Sequence, residues 1–302
     1  MTERGWITVG IDGTEGSDAA AQWAAREADR VGAGLRLVHV FDDYIPMAGF
    51  YAAVYPRGSI EGRHVAEKLV RDAAQRVEAI LPDDRVQPLV LRGDRRAGLL
   101  RAAADSDLLV LGDESHPAHH RLLTGSIIDS LAAHSSSPVV VVPADCADLP
   151  SRGVIVAGVK FFAASRELVR QAFDLAADRG ARLVVLHAWE YSAPYDDLVF
   201  AQVDLAGWEE RSAKELRQVV DDVARDFTNV DTEVRFVRGQ PAQVLADASA
   251  EADLLAITRR LHGFPLGHLG GTGRTALRET RCPAVVLPPA VETVRLGASA
   301  NT

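Results

Sequence analysis

Anion binding by a protein backbone needs N–H groups that point outward with no side chain in the way, and the stretch from Ala104 to Pro143 has residue types suited to it. Leu108-Leu109-Val110-Leu111 is an apolar run ending at Gly112, where the missing Cβ would let the chain turn tightly off a strand. A polar, His-rich loop follows, and Gly125-Ser126 then precedes a helical pattern from Ile127 to Ala133. A helix opening at that pair would leave its first N–H groups without intrahelical partners. Those donors, with the helix dipole behind them, favour an anion, most often phosphate. Serine is also an ordinary N-cap and glycine ordinary turn chemistry, so the pair gains weight only from its surroundings. Asp113 and Glu114 would repel a phosphate, whereas Arg121 and charged forms of His116, His119 and His120 would offset them. The same histidines raise a zinc site, but adjacent His119 and His120 give poor tridentate geometry, so no metal site of their own is expected.

The elements that must position these residues occur twice. Trp6–Ile11 and Gly153–Val159 read as buried strands, followed by helices over Ser17–Val31 and Ala164–Arg179. A second strand ends near His39-Val40 in one copy and His187-Ala188 in the other; amphipathic helices over Val65–Leu81 and Glu209–Phe227 come next. The third strands end in Arg92-Gly93-Asp94 and Arg238-Gly239-Gln240, where the glycines ease a strand-to-helix turn. Leu99–Leu111 and Val244–Ile257 then lead into two similar loops. His39 matches His187, Asp107 matches Asp253 and Gly125 matches Gly271, so one domain is duplicated. Domain 1 is read as 1–147, domain 2 as 148–290 and a loose tail as 291–302.

Alternation of strands and helices, with continuous apolar strands, predicts an α/β fold. It consists of two tandem, open, mainly parallel five-stranded sheets with helices on both faces. Ligands in such sheets sit at the carboxyl ends of the strands, which places the end of strand 1, at Asp12, and Gly112 on one crevice. The last strands, 138–142 and 283–287, would be apolar edges, and their pairing within the chain would make a pseudo-dimer; a further homodimer stays open. The aromatic-containing stretch 42–62 reads either as a lid or contact surface or as a mobile excursion. His39 and His187 read as structural, and Asp12 either binds ligand or caps the turn after it.

With 302 residues there is room for about two domains. No apolar run approaches the ~20 residues of a membrane span, so no membrane association is expected. The net charge of -9 argues against nucleic acid as a partner, and two cysteines, Cys146 and Cys282, suggest a reducing cytoplasm. Phosphate-loop, hydrolase-elbow and dinucleotide glycine motifs are all missing. No base or water-positioning residue accompanies the first-half loop, so at most slow ATP hydrolysis is expected.

Over about residues 5–289 the chain resembles a tandem universal stress protein of the actinobacterial type. ATP-binding members carry Gly-x2-Gly-x9-Gly-(Ser/Thr) after strand 4 and an Asp at the end of strand 1. This sequence has Gly112-x2-Ser115-x9-Gly125-Ser126 with Asp12, so Ser115 replaces the second glycine. The resemblance implies a cytoplasmic stress-response protein that binds an adenine nucleotide, ATP with Mg²⁺. The phosphates would lie on Gly112, Ser115, Gly125, Ser126 and Ile127 and the adenosine near Asp12, Gly13 and Val40, with Gly93 also among the binding residues and Asp94 near the mouth. In the second half the corresponding positions are Lys160, Thr258 and Leu261, and only Gly271-Thr272 survives, so that site is expected to have decayed. Arg259 and Arg260 could hold an anion there with Lys160, but a solvated face is the reading preferred for them. The rival to ATP binding is a nucleotide-free interaction module with both sites decayed.

Overall fold

A computed structural model describes residues 5–41, 60–113, 121–146, 150–160, 165–190, 204–259 and 269–288, with the backbone alone at 60–61, 121–126 and 205–206. Most of the 42–62 stretch, Ser115, the three loop histidines, Arg260, Leu261 and the 291–302 tail lie outside the described residues; Ile60 to Gly62 open the second helix.

The first half runs β1 (Trp6–Gly10), α1 (Glu15–Val31), β2 (Gly34–Phe41), α2 (Ile60–Val77), β3 (Val86–Arg92), α3 (Arg95–Ala103), β4 (Leu108–Asp113), α4 (Arg121–His134) and β5 (Val139–Pro143). The second repeats it: β6 (Val154–Gly158), α5 (Arg166–Arg179), β7 (Arg182–Trp189), α6 (Leu205–Ala224), β8 (Thr232–Arg238), α7 (Pro241–Ser249), β9 (Leu254–Thr258), α8 (Gly270–Glu279) and β10 (Ala284–Leu287). The ten strands form one sheet in the order β3-β2-β1-β4-β5-β10-β9-β6-β7-β8. Neighbours are parallel within each half. The exception is the seam, where β5 and β10 pair antiparallel with Val140 opposite Val285. The expected edge pairing thus joins the two five-stranded halves into a continuous sheet.

Strand composition follows position. β5 and β10 are buried at every residue because each lies inside the ten-stranded sheet. β3 and β8 lie at the outer edges and are only partly buried. Pro88 is tolerated in β3 because an edge strand has one row of N–H groups without a ladder partner. Alternate side chains feed two cores. Val140, Val142 and Val285 belong to one, beneath α1, α2, α5 and α6. Val139, Val141 and Val286 belong to the other, with residues of α3, α4, α7 and α8. Both cores run through the seam, so apolar burial as well as strand pairing holds the halves together.

Helix boundaries have local causes. Thr14 caps α1, its Oγ1 accepting from Ser17 N at 3.2 Å, and Gly32 ends it in the left-handed region at φ 73°. Small residues on one face of α1, including Ala20, Ala24 and Ala28 at 0 % exposure, let it lie close on the sheet. Gly180 ends α5 in the same way at φ 59°. The C-terminal ends of α1 and α5 meet across the seam, where Arg179 Nη2 donates to Glu27 Oε1 at 2.7 Å and Arg30 Nη1 donates to the Asp178 carbonyl at 2.8 Å.

Candidate functional site

Strand register brings Asp12, Val40, Gly93 and Gly112, four of the predicted residues of the first half, to one edge. β1 lies between β2 and β4, with Gly10 opposite Val38 and Val9 opposite Val110. Asp12, Val40 and Gly112 therefore stand at the carboxyl ends of three adjacent strands. Gly93 follows at the end of β3, and its N–H donates to the Phe41 carbonyl at 3.0 Å. Gly93 has φ +122°, a conformation that favours glycine, and it hands the chain to α3, whose cap Asp94 accepts from Ala97 N at 2.8 Å. Gln240 caps α7 through Gln243 N at 2.7 Å in the equivalent place. The strand-to-helix role read for Gly93 and Gly239 is what both halves show.

Asp12 is exposed, and its Oδ1 accepts from Thr14 N at 3.1 Å and Thr14 Oγ1 at 2.7 Å. It caps the turn that carries Gly13, which has φ +85°. This occupies one carboxylate oxygen and orients the group at the strand end. Asp18, one turn into α1, is held above the ordinary carboxylate range by burial, against the opposing pull of Arg76 at 3.0 Å; Asp12 and Glu15 add to the rise. Asp12, Glu15 and Asp18 are three carboxyl groups at the start of α1, and a phosphate arriving there is favoured if it brings a cation.

Two predicted positions act differently from expectation. Gly112 does not turn the chain off the strand: β4 continues to Asp113, and Gly112 is not among the positive-φ glycines. Its missing Cβ is needed because one would stand 2.1 Å from the backbone carbon of Gly16 and 2.5 Å from Ser17 N. The close approach is between β4 and the first turn of α1. Gly125-Ser126 does not open α4 either. The helix begins at Arg121, one turn earlier, so the backbone at 125 and 126 lies inside it. α8 begins at Gly270, so Gly271-Thr272 do lie in a first turn. Propensity explains the early start: Arg121, Leu122 and Leu123 are good helix formers that the periodicity from Ile127 onward did not include.

Val40 is 5 % exposed, and its Cγ1 lies 2.8 Å from where a Cβ on Gly98 of α3 would be. Its side chain fills the core, which leaves only its backbone for a ligand. Ile127 is half-buried on α4 and packs against the same core. His39 Nδ1 lies 2.7 Å from the Ile11 carbonyl, and His187 Nδ1 lies 2.8 Å from the Val159 carbonyl. The paired histidines tie the last residue before the site loop to the neighbouring strand, a structural role in both halves.

In the second half Lys160 is exposed where the first half has Asp12. Arg259 is not on a solvated face. It is half-buried, and its Nη1 donates to the carbonyls of Ser135 at 2.7 Å and Ala132 at 3.3 Å, at the end of α4. Nothing in the sequence spacing marks this contact, because it depends on how the two halves meet. Among the described residues no group of three or more His, Cys, Asp or Glu side chains could hold a metal ion, and no helix is long and apolar enough to cross a membrane. Both cysteines are buried, and burial pushes each thiol up to about 12.

A duplicated α/β unit, joined through its last strands into one sheet, defines a tandem-domain protein with candidate ligand residues at the carboxyl ends of the first half's strands. The profile of the Universal stress protein family matches residues 5–143 and 152–288, and the chain belongs to that family. It is 29% identical over 309 residues to a universal stress protein of Mycolicibacterium smegmatis, covering 95% of this chain and 98% of that one. It is also 29% identical over 297 residues to one of Mycobacterium tuberculosis, covering 93% and 94%. A universal stress protein crystal structure from Archaeoglobus fulgidus shares the fold, with a TM-score of 0.65 at 15% identity, covering 95% of this chain and 97% of that one.

Proposed function

We propose that the first half holds one ATP, with Mg²⁺, at the carboxyl edge of β2, β1 and β4, and that occupancy regulates the protein within a cytoplasmic stress response. The observation that carries this reading is the convergence of Asp12, Gly13, the Val40 backbone, Gly93 and Gly112 at the ends of adjacent strands. Asp12 supplies an exposed, oriented carboxylate suited to a hydroxyl or amino donor of the nucleoside, or to a hard cation. Mg²⁺ usually binds through one or two carboxylates and the phosphates of its nucleotide, and the carboxyl groups of Asp12, Glu15 and Asp18 suit such a pair better than bare phosphate. Gly112 contributes by letting α1 approach rather than by touching phosphate. Gly125, Ser126 and Ile127, with Ser115, are the phosphate contacts of this reading. For Gly125 and Ser126 to present free N–H groups the turn from Arg121 to Thr124 must uncoil on binding, so ligand binding and a shortening of α4 are one event.

The second half serves as a structural partner, with Lys160 in place of Asp12 and Thr258 in place of Gly112. The early start of α4 favours a second reading, an interaction module without nucleotide, because a fully wound helix has no free N–H at 125. Isothermal titration with Mg-ATP separates the two. Gly125→Asp adds bulk and negative charge at the phosphate position and is expected to abolish binding, whereas Gly271→Asp leaves it within about two-fold. Unchanged affinity in Gly125→Asp would remove this site assignment, and an equal loss in Gly271→Asp would move the site to the second half.

A further inference from the structure

We propose that Arg259 is a positioning residue for α4, so that the second half supports the nucleotide site of the first by capping its phosphate helix from behind. This rests on the reading that the first half binds ATP. α4 ends at His134, and the carbonyls of a last helical turn have no intrahelical partner and carry the negative end of the helix dipole. Arg259 meets that end from the other half, donating through Nη1 to Ala132 and Ser135. Its guanidinium stays charged although burial works against it. Arg278 of α8 stands 3.7 Å from Asp129 of α4, so the helix is gripped by the second half at two places.

The arrangement is one-sided. Aligned through Gly112 and Thr258, Arg259 occupies the position that Asp113 has in the first half. An ionised carboxylate donates no hydrogen bond, so Asp113 cannot return the same cap to α8. The loop position that would lie beside phosphate in an intact second site carries instead a cation for the helix of the first. Once the turn from Arg121 to Thr124 has uncoiled, a ligand at the new leading end and Arg259 at the trailing end both act on the shortened helix from Gly125 to His134, where the cap is a larger share of what holds it. By linkage, nucleotide should then tighten the contact across the seam as much as Arg259 tightens nucleotide.

Four full-length proteins test this: wild type, Arg259→Ala, Arg259→Lys and Arg179→Ala, each titrated with Mg-ATP and melted in parallel. Arg179 bridges the halves on the opposite face of the sheet and reports general loosening of the seam. The expected result is that Arg259→Ala weakens binding about five-fold and that Arg259→Lys recovers part of it, since lysine restores the charge without the fork. Arg179→Ala should melt earlier yet bind as wild type does. Wild-type affinity in Arg259→Ala, or an equal loss in Arg179→Ala, overturns the inference while leaving the ATP site standing. A wild type that binds no nucleotide overturns both.

Discussion

His187 shows how one side chain sets a pH dependence. It is 8 % exposed, stacks on Phe236 with ring centroids 5.0 Å apart, and lies 2.8 Å from the Val159 carbonyl. Burial holds its pKa below the ordinary 6.5, with the Val159 carbonyl pulling the other way. The unfolded chain therefore binds more protons between the lowered folded value and about 6.5, and stability falls as pH drops through that window. His187→Asn keeps a donor near Val159 and removes the titration. Melting temperature against pH should be flatter for the variant below about 6.5, and parallel curves would show that this histidine does not drive the acid loss. Gly112 gives a second residue-scale expectation. Gly112→Ala puts a Cβ into the Gly16 backbone and should cost about 3 kcal/mol in urea unfolding, whether or not nucleotide is present. A cost below about 1 kcal/mol would mean that β4 and α1 separate easily. The sequence marked Gly112 as special but for the wrong reason, since its partner Gly16 lies 96 positions earlier and only the fold brings them together.

At the scale of elements, apolar periodicity was enough to place all ten strands and most helices. β5 and β10 were legible as edges because four consecutive valines in 139–142, and the matching run in 284–287, had to find cover on every side. Pairing them satisfies both edges at once. Polar starts of helices were less legible. α2 and α4 each begin earlier than the apolar periodicity marks them, since arginine, glutamate and leucine have high helix propensity outside that stripe. The α1–α5 contact was invisible for a different reason, in that Glu27, Arg30 and Arg179 each look like ordinary surface charges in sequence. In the fold, Glu27 and Arg179 keep only 13% and 16% of their side-chain surface exposed. Without Arg179, Glu27 keeps the two hydrogen bonds that Arg30 donates at 2.8 Å and 3.1 Å, so Arg179→Ala should lose only about 1 kcal/mol. Thermal unfolding checks it, and a change under about 0.5 kcal/mol would show that apolar packing alone holds this side of the seam.

For the molecule as a whole, the seam makes the two halves one object. Both cores cross it, and the edge of β5 that faces away from β4 has no ladder partner without β10. The isolated stretch 1–147 should therefore form a homodimer through β5, which analytical ultracentrifugation would show; a folded monomer would contradict this use of the edge. Duplication also explains how one half can lose its ligand residues and keep its fold. Asp253 Oδ1 accepts from Arg152 N, and Oδ2 from Gly153 N and Ser151 Oγ, an anchor at the start of β6 that needs no ligand.

The central claim is a single nucleotide site in the first half, and the nucleotide content of the purified protein tests it most directly. Denaturing the protein, separating the released nucleotides by ion exchange and completing the occupancy with Mg-ATP should give about one ATP per chain. About two per chain would contradict the decay of the second site, and none would remove nucleotide from the account and leave the interaction module.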